Sequence, residues 1–284
     1  MRILKLSVLL LAGLSVPGLS VAQERDPTGR YDVLEPAEHL EEMLEPELGI
    51  APGRLFTLDL ALGGAFSTNA GQSSSAPVKT GVATPSIAIR AVPFSLGAWE
   101  VRGGLTADGD YLAGDYNDRF GEGRLEARGS AEHTLGPGDL RIGYRVQGGF
   151  SNDFAEQNYT LQVSSLAYTA SIQALRAEVS AEYHGSDVAN LRRTRITSLV
   201  AYRLAEQPFG HDVTLGGMLQ FSDFRAGDNR NRNDVSAQIS LGAVRAFSNG
   251  VSLSWFAAFT HRFSNRTQSR FTEFDIGPTL SKTF

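Results

Sequence analysis

From Leu55 onward the sequence repeats with a period of two, and that period constrains the fold more than any other feature. Phe56, Leu58, Leu60 and Leu62 alternate with Thr57, Asp59, Ala61 and Gly63. The pattern recurs in Trp99, Val101 and Leu105 against Glu100, Arg102 and Gly104. It recurs in Leu125, Ala127 and Gly129 against Arg124, Glu126 and Arg128, and in Leu140, Ile142 and Tyr144 against Arg141, Gly143 and Arg145. Leu175 to Tyr183, Val213 to Phe221, Val235 to Leu241 and Val251 to Phe259 repeat it again. Each row is a strand with one apolar and one polar face, because successive side chains of extended backbone point to opposite sides.

The spacing predicts strands near 55–66, 84–92, 98–107, 122–134, 139–150, 159–172, 175–185, 193–205, 211–222, 234–246, 251–262 and 271–284. The strand at 159–172 is the least regular. Its apolar phase slips between Val163 and Leu166, which predicts a β-bulge there. The connections alternate in length. Ser67–Ala83, Ala107–Gly121, Ser151–Asn158, Ser186–Arg192, Ser222–Asn233 and Phe263–Arg270 are long. Pro93–Gly97, Leu135–Gly138, a tight turn near Gln173-Ala174, Glu206–Gly210 and Phe247–Gly250 are short. Short turns on one side and longer loops on the other are the pattern of membrane barrels, and an even strand count returns both ends of the chain to one side.

The charge decides which solvent the apolar face meets. A small soluble barrel fills its interior with apolar side chains, whereas a membrane barrel turns them to lipid and keeps a polar lumen. Here the second face carries Arg, Glu, Gln and Ser at mid-strand, and small residues are common on both faces. Too little large apolar volume remains for a two-sheet core. Aromatics gather near strand ends, at Phe56, Phe66, Trp99, Phe150, Tyr159, Tyr183, Tyr202, Phe221, Phe247 and Phe259, as interfacial girdles require. The predicted fold class is therefore all-β: a transmembrane antiparallel barrel of about twelve strands over 55–284, with a short N-terminal periplasmic helical segment before it.

The N-terminus reads as an export signal. Arg2 and Lys5 precede the apolar run Leu6 to Val16, Pro17-Gly18 breaks it, and Ser20-Val21-Ala22 places a cleavage site after Ala22. That run is too short to span a bilayer as a helix. Residues 23–54 form an acidic lead-in. Pro36 to Leu48 is helix-prone, but Pro46 limits the helix to about two turns. The chain has no cysteine, which excludes a lipid anchor on cysteine, disulfides and cysteine metal sites. A net charge of −5 argues against nucleic acid as a partner.

The last strand ends in Phe284, with Leu280, Ile276 and Phe274 on the same face. This tail resembles the C-terminal signature of Gram-negative outer-membrane β-barrels, porin-like proteins among them. The resemblance implies outer-membrane localisation, an assembly signal in Phe284, Leu280 and Ile276, and as partners the barrel-assembly machinery, outer-membrane lipid and lipopolysaccharide. Lys282 and Pro278 depart from the signature, and a one-residue bulge would reconcile them. Arg262-Phe263-Ser264-Asn265 before a last strand ending in Phe also resembles the C-terminal barrel of surface lipoprotein assembly modifiers, although the helical-repeat domain of that family is missing.

The inner face is rich in arginine. Arg90, Arg102, Arg124, Arg128, Arg141, Arg145, Arg176, Arg195 and Arg203 fall on it, balanced by Glu100, Glu126, Glu132, Glu178 and Glu182. Symmetry about the Leu135–Gly138 turn sets Glu132 opposite Arg141, Ser130 opposite Gly143, Arg128 opposite Arg145 and Glu126 opposite Gln147. Two readings stay open: a self-neutralising ladder that fills the lumen, or an arginine-lined passive channel favouring small anionic solutes. Twelve strands lie between filled and open sizes, so width does not choose. An assembly or export barrel working with a periplasmic partner through 23–54 is the alternative function. The loop with Asp108, Asp110, Asp115, Asn117 and Asp118 lacks EF-hand spacing and reads as solvated, and the Arg-bearing loops at 192–193, 225–232 and 266–270 suit lipopolysaccharide phosphates. His39, His133, His184, His211 and His261 show no metal-ligand spacing, and no cofactor is implied. His184, with Ser186 and Asp187 nearby, is the one candidate for a surface enzyme.

Overall fold

The computed structural model describes residues 55–284 apart from 71, 73–76, 78, 115–116, 118–120 and 248. The export signal and the short helix of the lead-in lie outside the described residues. Thirteen strands run in one antiparallel sheet: β1 Phe56–Ser67, β2 Thr80–Ala91, β3 Phe94–Leu96, β4 Trp99–Leu112, β5 Glu122–Leu135, β6 Gly138–Ser151, β7 Gln157–Ile172, β8 Leu175–Ser186, β9 Arg193–Arg203, β10 Asp212–Phe224, β11 Asn233–Ala246, β12 Val251–Ser264 and β13 Phe271–Thr283. Both β2 and β3 pair with β4, so they are one barrel strand interrupted at Val92-Pro93. Pro93 has no N–H to give the ladder. The residues 94–96, expected in a turn, are thus extended, and the turn shrinks to Gly97-Ala98. With β1 paired to both β2 and β13, twelve strand positions close the sheet on itself.

Alternation places the apolar rows outside. Leu62, Leu105, Ile142, Leu219 and Ile239 are all largely exposed on the outer wall, where the solvent is lipid. Phe56, Phe66, Tyr183, Tyr202, Phe221, Phe247 and Phe259 are exposed near the barrel's two ends. Tyr159 corrects the expected girdle, because it is 3% exposed and points into the lumen.

Three further expectations are corrected. The bulge expected between Val163 and Leu166 is absent: β7 pairs without interruption there, and the register shifts instead at Gly149/Phe150. The tail needs no bulge either. β12 and β13 hold one register from Val251↔Lys282 to Arg262↔Phe271, and Pro278 and Lys282 face outward. Lys282 lays its ammonium over the Phe284 ring, 4.8 Å from its centre. Across the closing seam no pairs form between Gly64-Ala65 and Gly277-Pro278, although the register is the same on both sides. A Cβ on Gly277 would sit 1.8 Å from the Gly64 carbonyl oxygen, so only glycine allows this approach.

The connections keep their alternation but change their bounds. At the end holding Phe284 they are 97–98, 136–137, 173–174, 204–211 and 247–250; this is called the turn end. At the loop end they are 68–79, 113–121, 152–156, 187–192, 225–232 and 265–270. The stretch 204–211 is as long as several on the loop side. β4 extends into the segment expected as a loop, so Asp108 and Asp110 are strand residues on the inner face.

Candidate functional site

The candidate site is the lumen. Every predicted lining residue occupies an inward position of its strand, and the pairings Glu132↔Arg141, Ser130↔Gly143, Arg128↔Arg145 and Glu126↔Gln147 occur in that register. The lumen has two unlike halves.

The turn-end half is solvated. Arg102 and Arg203 stand at its rim with side chains 52% and 62% exposed, paired to Glu100 at 2.6 Å and Asp212 at 2.7 Å. Glu132 lines a cavity of about 200 Å³ at this mouth with Glu100, Trp99 and Thr134. Arg90 approaches Asp59 at 3.3 Å, and the Thr283 hydroxyl donates to the same carboxylate at 2.5 Å. Further in, Arg141 reaches Glu178 at 3.3 Å, Thr169 donates to Glu178 at 2.9 Å, and Arg145 reaches Glu126 at 3.5 Å. Arg128 is half-buried directly opposite Arg145, and the Arg176 Nε is buried without a hydrogen-bond acceptor. The wall across from these arginines carries the hydroxyls of Ser240, Ser252, Ser254, Thr279 and Ser281, with Val244 and Phe256 among them.

The loop-end half is filled. Arg195, Arg232 and Arg262 are 1–2% exposed and His184 is not exposed at all, so no water-sized passage runs along them. Arg232 pairs with Asp234 and stacks 4.4 Å from the centre of the Phe224 ring. Arg262 stacks on Phe271 at 4.6 Å and donates to Ser236 at 3.1 Å. Arg124 binds Asp108 at 2.5 Å and Asp110 at 3.3 Å. Tyr159 donates to Glu122 at 2.6 Å, and Ser67 donates to Glu273 at 2.6 Å. Above them Leu191, on the turn 187–192, packs against Tyr159, Leu161 and Val163. Asn190 ties that turn to the next loop: its Oδ1 accepts from the Asp228 N–H at 2.6 Å, and its carbonyl accepts from Asn229 Nδ2 at 3.1 Å.

Several of these residues escaped the sequence reading. Asp59, Asp234 and Arg262 lie on the polar phase of rows already recognised, so continuing each alternation to the strand ends would have found them. Arg232 and Asn190 belong to loops, where alternation carries no signal. Arg193 and Arg232, expected in basic surface loops, point inward and are buried, leaving Arg192, Arg225, Arg230 and Arg270 exposed.

His184 does not meet Ser186 or Asp187 as a relay. Its Nε2 lies 2.8 Å from Glu182 and its Nδ1 has no partner. Ser186 donates to the Thr160 carbonyl at 2.6 Å, and Asp187 accepts from the Thr160 N–H.

Comparison with solved structures gives the same architecture. An outer-membrane channel from Pseudomonas putida F1 superposes with a TM-score of 0.54 at 11% identity, over 83% of this chain and 100% of that one. Its fold is that of an outer-membrane barrel. The translocator domain of autotransporter NalP from Neisseria meningitidis superposes with a TM-score of 0.53 at 10% identity, over 90% and 96% of the two chains. No family model and no curated relative matches the sequence. The resemblance to surface lipoprotein assembly modifiers thus rests on its short motif alone.

Proposed function

We propose that this chain is an outer-membrane channel for small solutes, leaning toward anions, held closed by its own loops in the described conformation. Long loops face the cell surface in such barrels, so the turn end opens to the periplasm. One observation carries the reading. Arg128, Arg141, Arg145 and Arg176 form a contiguous wall on β5–β8 in the half of the lumen that solvent reaches. Glu126 and Glu178 answer Arg145 and Arg141 at 3.5 and 3.3 Å, and the wall brings four guanidiniums together beside these two carboxylates. A planar guanidinium offers forked donors that match carboxylate or phosphate oxygens. The opposite hydroxyl wall supplies neutral donors and acceptors that let a solute shed water without being trapped.

The filling of the loop-end half also fits a route that opens. Apart from the cluster around Leu191 and the rings of Phe224 and Phe271, it is made mainly of ion pairs and hydrogen-bonded polar side chains, which water can replace when the loops withdraw. A barrel used only as an anchor would gain more from apolar filling of the same volume.

Purified protein in planar bilayers tests this. Anion-preferring conductance is expected, and Arg128→Glu with Arg145→Glu should turn the preference toward cations. A barrel that stays silent even after the 187–192 turn is shortened would overturn the proposal.

A further inference from the structure

The loop end gathers its positive charge on one side. Arg192, Arg225, Arg230 and Arg270 are exposed and Arg266 is half-buried, all on the three loops 187–192, 225–232 and 265–270. The exposed or half-buried acids beside them are Asp187, Asp223 and Asp228, so arginine is in excess. Asp223 pairs with Arg225 at 2.8 Å, and Asp187 is turned to the Thr160 N–H at 2.7 Å. Among the described residues Arg192, Arg230, Arg266 and Arg270 pair with no carboxylate. Around the rest of the rim, loop 152–156 carries Asp153 and Glu156 with no basic residue, loop 113–121 sets Arg119 against Asp115 and Asp118, and loop 68–79 has Lys79 alone.

These arginines stand over the lipid-facing wall. Ile196, Phe221, Val235 and Phe263 pair in one exposed row on the outer face. Alternation from Phe221 through Asp223 sets Arg225 on that same face, and its Nη2 donates to the Thr194 hydroxyl at 3.3 Å. Arg192 precedes the inward, buried Arg193, and Arg270 precedes the inward, buried Phe271, so both also point outward. At about 3.3 Å per residue and a tilt of roughly 40°, four residues carry Arg225 ~10 Å beyond Phe221.

The rim is also held in place. Arg192 Nε donates to the Ser186 carbonyl at 2.7 Å, and Arg270 Nε donates to the Ser264 carbonyl at 2.8 Å. The same bracket thus fixes both guanidiniums and leaves their terminal amino groups to meet an anion. Arg266 Nη2 donates to the Arg230 carbonyl at 3.0 Å, and Asn265 Nδ2 donates to the Asn231 carbonyl at 2.7 Å, which ties two of the loops together.

We propose that this rim binds the phosphates of lipopolysaccharide in the outer leaflet, with the acyl chains lying on the row of Ile196, Phe221, Val235 and Phe263. Guanidiniums match phosphate oxygens with paired donors. A solute bound for the lumen would not meet outward arginines above an apolar wall, whereas a lipid with an anionic head fits both parts at once.

Native mass spectrometry of the barrel in mild detergent, titrated with rough lipopolysaccharide, tests this. The triple variant Arg192→Gln, Arg230→Gln and Arg270→Gln should bind at least tenfold more weakly and keep heat-modifiable migration, which reports a folded barrel. Lys79→Gln, on another loop, should bind as the parent does. Lipopolysaccharide stripped of its phosphates should bind the unaltered protein at least tenfold more weakly, and this arm needs no variant. Undiminished binding by the triple variant or of the stripped lipid, an equal loss in Lys79→Gln, or full displacement by millimolar inorganic phosphate would overturn the proposal. None of these readouts depends on the lumen conducting.

Discussion

Tyr159 donates its hydroxyl to Glu122 at 2.6 Å and accepts from Gln147 Nε2 at 3.0 Å, and its ring lies over Gly149. A Cβ on Gly149 would fall 1.9 Å from that ring. Gly149→Ala should therefore push Tyr159 off both partners, and Tyr159→Phe should remove the same bonds without moving the ring. Each is expected to cost about 1–3 kcal/mol, as loss of a buried polar partner does; urea titration of the folded barrel in vesicles measures it. Outside the membrane, Asp153 accepts from the Ser151 hydroxyl at 2.6 Å and the Ala155 N–H at 3.1 Å, which hold its carboxyl below the usual aspartate range. Its folded value being depressed, this turn is at full strength above the ordinary aspartate range and weakens as pH falls through the folded value. Ser151→Ala should raise the Asp153 midpoint, read by carboxyl NMR titration. At this scale the sequence was only half informative. Alternation told that Arg128 and Arg145 share a face, but which acid each meets depends on strands far apart in sequence: Arg141 finds Glu178 across β7.

The elements that decide whether the lumen is open are β7 and the turn 187–192. Periodicity in β7 correctly registered an irregularity between Val163 and Leu166, but a phase slip reads the same whether a residue is inserted or the apolar face changes sides. The strand is unbulged there, and its loop-end half turns apolar side chains inward to receive Leu191. Asn190 then latches this turn to the loop that holds Gly227, whose φ of +62° and close contact with Asn190 leave no room for a side chain. Leu191→Ser combined with Asn190→Ala should release the turn and raise single-channel conductance severalfold in planar bilayers, with no loss of barrel assembly. Unchanged conductance would place the barrier elsewhere.

For the whole molecule, lipid is the solvent that makes the sequence consistent. Leu105 is 58% exposed on the outer wall, and Ser240 lies on the inner one. Leu105→Arg should cost about 2–4 kcal/mol near the midplane of the bilayer, whereas Ser240→Arg, in the lumen, should leave folding little changed. Denaturant titration in vesicles compares them, and equal costs would contradict the assignment of faces.

The sequence by itself determined the strand count, the two faces and the short-turn and long-loop sides, because those follow from backbone geometry and from which residues tolerate water or lipid. The filling of the loop-end half by Arg232, Arg262 and Leu191, and the latch between Asn190 and the loop of Gly227, were decided only by tertiary structure. They depend on distances between strands and loops far apart along the chain, and a local periodicity carries no record of those distances.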